Sequence, residues 1–309
     1  MSDADLRSHF LVVVQALKAG RVVPILGAGV NLADRGLTPE WAPGGDVLPT
    51  GYHLYRHLAQ AVEYPSDDPD LIRLAEYIDI RAGRAFLYDE LRNVFDRDYE
   101  PTIVHRFFAS LPGLMREKNG TEYHQTVVTM NYDDLMERAF KEAGERCDIV
   151  WYVADPPDRG KFFHRNHSGD VKLIEDSKTY REIDPDKRSI VLKLHGTVDR
   201  YGEGRDSYVI TADDYLEYLT RADVATLLPP ELVKKLYESH FLFLGYSLRD
   251  SNLQVILRRI VGEQKLLSKS WAVLSGTDEV DRVVWQKRNV DVLESWLDDY
   301  ITGLRERVA

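Results

Sequence analysis

The stretch Arg21-Val-Val-Pro-Ile-Leu26, followed directly by Gly27-Ala-Gly-Val-Asn31, decides the fold. A short apolar run that ends at a glycine pair predicts a strand buried on both faces, which is typical of a parallel sheet. The glycines indicate a tight turn or a close approach of the backbone to a ligand. Leu32 stands at the third glycine position of the dinucleotide fingerprint, and no Gly-Lys-Ser/Thr follows, which excludes a P-loop.

Similar apolar runs recur along the chain and predict further strands. The stronger ones are 126–129, 190–194, 241–244 and 271–274, and the weaker ones are 149–153, 208–210 and 290–293. Helical patterns separate the strands, which predicts an α/β fold with a doubly wound, mostly parallel sheet. Apolar residues at helical spacing over 51–120 predict an all-helical module inserted into a single domain, 1–309. The polar segment 155–188 predicts a surface excursion.

Composition and charge exclude several classes of protein. The 309 residues include 51 acidic and 40 basic side chains, and the net charge of −11 argues against an affinity based on nucleic-acid phosphates. The single cysteine, Cys147, allows neither an internal disulfide nor a cysteine zinc site within one chain, and fits a reducing cytoplasm. Because the sequence shows no leader and no long uncharged run, we expect neither export nor membrane insertion.

Polar residues or glycines follow each of the strongest strands. Thr126–Thr129 runs into Asn131 and Asp133, the strand at 190–194 runs into His195, and the strand at 241–244 runs into Gly245-Tyr-Ser247. The carboxyl ends of parallel strands meet at one edge of a sheet, and nucleotides bind at that edge where the strand order reverses. The four strand ends together therefore favour a nucleotide site.

Each of these strand ends also has a simpler structural explanation. Gly27 and Gly29 could only shape a turn, Asn131 or Asp133 could cap the next helix, and His195 could be a hydrogen-bonded structural residue. A cap accounts for one of Asn131 and Asp133 but not for both.

Four motifs together resemble the motif series of the sirtuin superfamily. They are Gly27-Ala-Gly-Val-Asn31, Thr129-Met-Asn-Tyr-Asp133, Lys193-Leu-His-Gly196 and Phe243-Leu-Gly-Tyr-Ser247. Their order and spacing are most similar to the bacterial sirtuin-like NAD hydrolases of anti-phage defence systems, and the resemblance runs from about residue 20 to residue 295. It implies a Rossmann-like domain with NAD as the substrate.

The resemblance also implies a role for each motif. Asn131 and Asp133 would face the nicotinamide ribose, and His195 would be the general base. The residues that it assigns to NAD binding are Gly27, Ala28, Gly29 and Asn31 near the diphosphate, and Gly245, Tyr246 and Ser247 near the adenosine.

Departures from the family pattern predict a change of activity. The four-cysteine zinc module of the sirtuin deacylases is absent, Asn31 replaces a serine, and Leu37-Thr-Pro-Glu-Trp41 replaces Ile-Pro-Asp-Phe-Arg. We therefore expect loss of protein deacylation and a metal-free hydrolysis of NAD to nicotinamide and ADP-ribose. Two alternatives stay open, namely a regulatory module that binds NAD or ADP-ribose without cleaving it, and an NAD-dependent deacylase.

The residue types fit the chemistry of that cleavage. Breaking the nicotinamide bond expels a neutral pyridine through an oxocarbenium-like state, so no strong leaving-group acid is needed. Asn131 can hold a water and a ribose hydroxyl, Asp133 can offer negative charge, and His195 has a suitable pKa for taking a proton near neutrality. An enzyme that depletes NAD must be held inactive in a healthy cell. We therefore expect a homo-oligomer or a separately encoded partner, by analogy a helicase-type ATPase.

Overall fold

The computed structural model describes residues 3–36, 41–120, 122–202, 204–220, 227–246, 268–276 and 279–308. Its strands are β1 (Val22–Leu26), β2 (Thr126–Thr129), β3 (Cys147–Tyr152), β4 (Phe162–Arg165), β5 (Val171–Ile174), β6 (Ser189–Lys193), β7 (Gly196–Thr197), β8 (Ser207–Tyr208), β9 (His240–Leu244), β10 (Ser270–Leu274) and β11 (Val290–Glu294). Its helices are α1 (Asp3–Lys18), α2 (Gly51–Ala61), α3 (Leu71–Ala82), α4 (Arg84–Phe95), α5 (Ile103–Asn119), α6 (Leu135–Glu142), α7 (Ala212–Thr220), α8 (Pro230–Glu238), α9 (Glu279–Gln286) and α10 (Leu297–Val308), and a 3-10 helix spans Ala28–Leu32.

The central sheet reverses its strand order at β1. The order is β11-β10-β9-β1-β2-β6-β3-β4-β5. Strands β2 to β6 lie on one side of β1, with β6 inserted between β2 and β3, and the later strands β9 to β11 lie on the other side. Every pairing from β11 to β3 is parallel, whereas β3-β4 and β4-β5 are antiparallel. The predicted Rossmann-like, doubly wound and mostly parallel sheet is confirmed. Ligands of such sheets bind beyond the carboxyl ends of the strands, at the reversal between β1 and β9.

The first strand is buried on both of its faces. Val22 and Leu26 pack into a core shared with α1, α5 and α10, whereas Val23 and Ile25 pack into the core on the other face. Successive side chains of a strand point to opposite faces, so a continuous apolar run suits a strand covered by helices on both sides. Full burial of each such side chain contributes roughly 1.5–3 kcal/mol to the stability of the fold.

The predicted helical stretch 51–120 consists of helices that pack in two different places. Helices α2, α3 and α4 share a separate core that includes Leu58, Leu74 and Leu91. Phe107 and Phe108 of α5 instead belong to the core beneath the sheet, together with α1 and α10. Only α2, α3 and α4 therefore form a layer of their own, which we call the helical cap.

The prediction of a surface excursion at 155–188 is wrong in part, because β4 and β5 form a hairpin that extends the sheet. Each of these strands has only four residues, with charged neighbours, so the sequence carries little of the alternation that marks a strand. The strand predicted at 208–210 is β8, which pairs with β7 in a separate two-stranded sheet. The other predicted strands match the observed bounds within two residues.

The described part of the chain contains no helix with the length and apolar character needed to cross a membrane.

Candidate active site

A cavity of about 290 Å³ lies at the carboxyl ends of β1, β2, β6 and β9, where the strand order reverses. The sequence-predicted residues in its wall are Gly27, Ala28, Asn31, Asn131, Asp133, His195, Gly245 and Tyr246. Gly29 lines a neighbouring cavity, and Ser247 lies outside the described residues. The structure thus brings four distant motifs together at one place.

Asn131 joins the end of β2 to the end of β1. Its backbone N–H donates to Thr129 Oγ1 (3.0 Å), and its Nδ2 donates to the carbonyl oxygen of Gly27 (3.2 Å). Thr129 Oγ1 in turn donates to the carbonyl oxygen of Leu26 (3.0 Å). The side-chain amide of Asn131 is therefore fixed at the cavity wall and does not cap a helix.

Asp133 is held from two sides. Its Oδ1 accepts a hydrogen bond from the N–H of Leu135 (3.1 Å) at the start of α6, and its Oδ2 accepts one from Asn31 Nδ2 (3.0 Å). The N-cap of α6 is Asp134, so Asp133 is not the helix cap that the simpler interpretation expected. Its carboxylate instead accepts from the N–H two residues further on and also lines the cavity. Asn31 orients this carboxylate, a connection between residues 102 positions apart that no local pattern indicates.

Lys193 supports the turn that carries Asp133. It was named from the sequence only as the first residue of a motif, with no predicted role. Its buried Nζ donates to the carbonyl oxygens of Asp133 and Tyr132 and pairs with Glu137 Oε1 (3.0 Å). A buried ammonium needs such partners, because an unpaired charge in the interior is costly. The sequence feature that could have indicated this role is a lysine near the end of an otherwise apolar strand.

His195 lies at the bottom of the cavity against two aromatic rings of α7. Tyr215 meets it edge-on with ring centroids 5.4 Å apart, and Tyr218 lies at 6.3 Å. The side chain is only 6% exposed, and burial lowers its pKa to about 4. Its Nε2 has no hydrogen-bond partner among the described residues. The imidazole is therefore neutral at neutral pH and able to accept a proton. Its pKa is lower than the value near neutrality that the sequence led us to expect, because burial disfavours the charged form, so it is a weaker base than an exposed histidine.

We expect the free energy of unfolding to fall as the pH drops from about 6.5 to about 4. His195 and the buried His105, whose pKa burial lowers to about 3, both stay neutral in the folded chain over this range. In the unfolded chain each binds a proton near pH 6.5, so acid stabilises the unfolded state. The free energy of unfolding falls by about 1.4 kcal/mol per pH unit for each histidine.

Urea denaturation at several pH values measures this slope. His9, whose pKa burial also lowers to about 4, adds to the same slope. The variant His195→Gln removes one of these groups, so its slope should be shallower by the contribution of one histidine. An unchanged slope would contradict the neutral, buried state of His195.

The diglycine loop packs directly on the loop that follows β9. Gly27 N–H donates to the carbonyl oxygen of Leu244 (3.0 Å), and Gly29 N–H donates to that of Gly245 (2.9 Å). A Cβ on Gly29 would lie 2.8 Å from Gly245 O, and one on Gly245, whose φ is +71°, would overlap the backbone nitrogen of Val30. The glycines therefore do more than shape a turn, because the close approach of the two loops requires them. This contact also occupies amides that were predicted to face the diphosphate.

A second cavity of about 700 Å³ adjoins the first and reaches the ends of β10 and β11 and the start of α10. Five residues line both cavities and form the passage between them, which we call the waist: Ala28, Thr50, Gly51, Gly245 and Tyr246. The hydroxyl of Tyr246 donates to the carbonyl oxygen of Leu26 (3.0 Å), which fixes its ring there. The two cavities are therefore adjacent along the strand ends.

The helical cap closes one wall of the first cavity and is tied to α7. Leu54 and Phe95 of the cap line that wall. Arg84, at the start of α4, pairs with Asp214 of α7 (2.8 Å) and with Asp155 (2.7 Å). The helix that carries Tyr215 is thus bound to the cap by a partly buried ion pair.

A doubly wound sheet, a glycine turn after its first strand and a cavity at the strand reversal define the class of doubly wound α/β proteins, whose ligands bind at such a reversal. The chain belongs to the SIR2-like domain family, whose model matches residues 125–293, more than half of its length. This match confirms the resemblance to the sirtuin superfamily.

Curated relatives extend over most of the chain. Over 71% of its own length, the chain is 31% identical to the NAD(+) hydrolase ThsA of Acinetobacter baumannii (strain 532279). Over 74% of its own length, it is 30% identical to the protein of the same name from Enterococcus faecium. A third, from Bacillus cereus (strain MSX-D12), is 28% identical over 71%. The chain spans only 38 to 40% of the length of these relatives.

Proposed function

We propose that this protein is an NAD⁺ hydrolase that cleaves the nicotinamide glycosidic bond to give nicotinamide and ADP-ribose. The observation that carries the proposal is the convergence of Asn131 and His195 in one cavity at the strand reversal. The second cavity offers room for the rest of a dinucleotide. The names of the relatives support the same reaction.

The proposed reaction assigns a task to each side chain. As the bond from C1′ to the pyridine nitrogen breaks, nicotinamide leaves with the bonding electrons and positive charge develops on the ribose. The Asn131 amide oxygen and the Asp133 carboxylate stabilise that charge, since both groups are already fixed by hydrogen bonds. A water oxygen then bonds to C1′, and its proton passes to the neutral imidazole of His195.

The biological role that we propose is depletion of NAD in the cytoplasm during phage infection. Because free NADase activity would harm a healthy cell, we propose that assembly of a homo-oligomer, or a separately encoded partner such as a helicase-type ATPase, controls it. The acidic net charge supports a protein partner over direct binding to nucleic acid.

Incubation of the purified protein with NAD over a range of protein concentrations tests the function. We expect free nicotinamide and ADP-ribose in equal amounts, at a specific activity that rises with concentration if assembly activates the enzyme. Calorimetric binding of NAD without any release of nicotinamide would instead assign the binding module. Cleavage that requires an acetyl-lysine peptide would assign a deacylase.

A further inference from the structure

Arg200 is a mostly buried arginine whose guanidinium contacts three carboxylates. It lies in the loop between β7 and β8, and its side chain is 17% exposed. Its Nη1 pairs with Asp96 (2.9 Å), its Nη2 pairs with Asp98 (2.6 Å), and its Nε pairs with Asp134 (3.4 Å). Because the donors of a guanidinium form a rigid fork, one arginine can hold several carboxylates in a fixed arrangement.

These carboxylates belong to two different parts of the molecule. Asp96 is the C-cap of α4 in the helical cap, and Asp98 follows two residues later. Asp134 is the N-cap of α6 and comes directly after Asp133. A single side chain therefore joins the end of the helical cap to the turn that carries Asn131 and Asp133.

The end of α4 is also part of the wall of the first cavity. Phe95, the last residue of α4, lines this cavity and meets the ring of Tyr132 edge-on, with centroids 5.4 Å apart. Tyr132 belongs to the turn after β2 and lines the same cavity. Because Asp96 directly follows Phe95, the ion pair of Asp96 with Arg200 holds this wall against the turn.

The loop that carries Arg200 is itself tied to the turn. The N–H of Val198 donates to the carbonyl oxygen of Tyr132 (3.0 Å). This loop begins just after His195, at the end of β6. Arg200 therefore approaches the turn from the strand end that carries the proposed base.

The acidic groups beneath the turn depend on nearby cations. Asp134 Oδ1 and Glu137 Oε2 are buried atoms with no hydrogen-bond partner among the described residues. Burial and then the charge of Glu137 raise the pKa of Asp134 to about 6, and Asp133 adds to this effect. Arg200 and Lys193 act in the opposite direction. Because a charge in the interior is costly without a partner, loss of either cation should disturb the turn.

We propose that Arg200 is a positioning residue, which holds the turn with Asn131 and Asp133 in place against the wall formed by the helical cap. This inference rests on the proposed function, because it concerns the rate of that reaction. Arg200 is not among the residues that line the first cavity, so its effect passes through the turn. The position of the helical cap thereby becomes a determinant of the reaction rate.

The variant Arg200→Gln removes the charge and the fork. Because the turn acts on the charge that develops in the transition state, we expect kcat for NAD cleavage to fall about 10- to 100-fold, with a change in KM of less than about twofold. Arg200→Lys keeps the charge without the fork, so its kcat should lie between those of Arg200→Gln and the wild type. Nicotinamide release over a range of NAD concentrations gives both constants.

The matched control is Arg138→Gln. Arg138 pairs with Asp98 (2.8 Å), as Arg200 does, but among the described residues no ion pair joins it to Asp134. Its kcat should stay close to that of the wild type. An equal loss of kcat in the two glutamine variants would overturn the proposal, because the effect would then not depend on the contact with the turn.

The pH dependence of kcat separates positioning from a general loss of stability. As the pH falls through about 6, Asp134 takes up a proton and loses its ion pair with Arg200, so the kcat of the wild type should fall. Protonation of His195 follows only near pH 4. Without Arg200 the pKa of Asp134 is higher, so the fall in Arg200→Gln should begin at a higher pH. Asp134→Asn should have a low kcat and no fall near pH 6.

Circular dichroism at each pH shows which variants are folded. A folded Arg200→Gln with the kcat or the pH profile of the wild type would overturn the proposal. If Arg200→Gln does not fold, Asp134→Asn tests the same contact from the other side, and a wild-type kcat for that variant would overturn the proposal. Failure of the wild-type protein to cleave NAD would overturn the proposed function together with this role of Arg200, whereas the other contrary results leave the function standing.

Discussion

Replacement of His195 by alanine is expected to lower the rate of NAD cleavage about 10²- to 10⁴-fold, the usual contribution of a positioned general base. His195 is the histidine that lines the cavity with Asn131, and its buried, neutral imidazole can take the proton of the attacking water. Release of nicotinamide at saturating NAD measures the effect on the chemical step. Asn131→Ala should cause a comparable loss, because it removes the fixed amide beside C1′.

The matched control is His240→Asn. His240 is the first residue of β9 and therefore lies at the opposite edge of the sheet from the cavity, where its ring stacks on Trp271 with centroids 5.1 Å apart. The rate of NAD cleavage by His240→Asn should be close to that of the wild type. If His195→Ala folds, binds ADP-ribose and still cleaves NAD at the wild-type rate, the role of His195 as the base is wrong.

Gly196→Ala is expected to cost on the order of 3–5 kcal/mol of stability and to displace His195. Gly196 has φ +86° and lies opposite Tyr208 in the β7–β8 ladder, and a Cβ on Gly196 would overlap the carbonyl oxygen of Ser207, the other residue of β8. Both the backbone and the facing strand must shift to make room. Since His195 is the preceding residue, NAD cleavage should fall together with stability.

Gly83→Ala separates the cost of the backbone conformation from the cost of the steric overlap. Gly83 has a similar φ of +91°, but no atom of the described residues lies within 4 Å of a Cβ built there. This control should lose only about 1–3 kcal/mol, the cost of placing a residue with a Cβ at φ +91° and ψ 154°. Urea denaturation of the two variants gives the comparison, and equal losses would show that the steric overlap at Gly196 is relieved without cost.

The sequence was sufficient for the elements that carry strong local signals. Val22–Leu26 and Thr126–Thr129 were predicted with their observed bounds, because a buried parallel strand is a continuous apolar run ended by a turn. The convergence of Asn131 and His195 followed from topology, since parallel strands end at the same edge. These predictions needed no knowledge of side-chain contacts.

Other parts of the site depend on tertiary packing and have no local signature. Tyr215 contacts His195 because the fold places α7 next to the end of β6. Thr50 and Gly51 line the waist because the helical cap packs over the ends of the strands. Asn31 was predicted to contact NAD and does line the cavity, but the hydrogen bond that its amide donates to Asp133 had no local signature. A pattern of residue types identifies which groups are near a site, whereas the partner of each group depends on the packing.

The ion pair between Arg84 and Asp214 couples the outer layer of the molecule to its reactive centre. The helical cap includes the start of α2, and its residue Arg84 binds α7, the helix that carries Tyr215. A protein that binds the outside of the cap could therefore shift one wall of the first cavity and the ring of Tyr215 beside His195 together, without contacting the sheet.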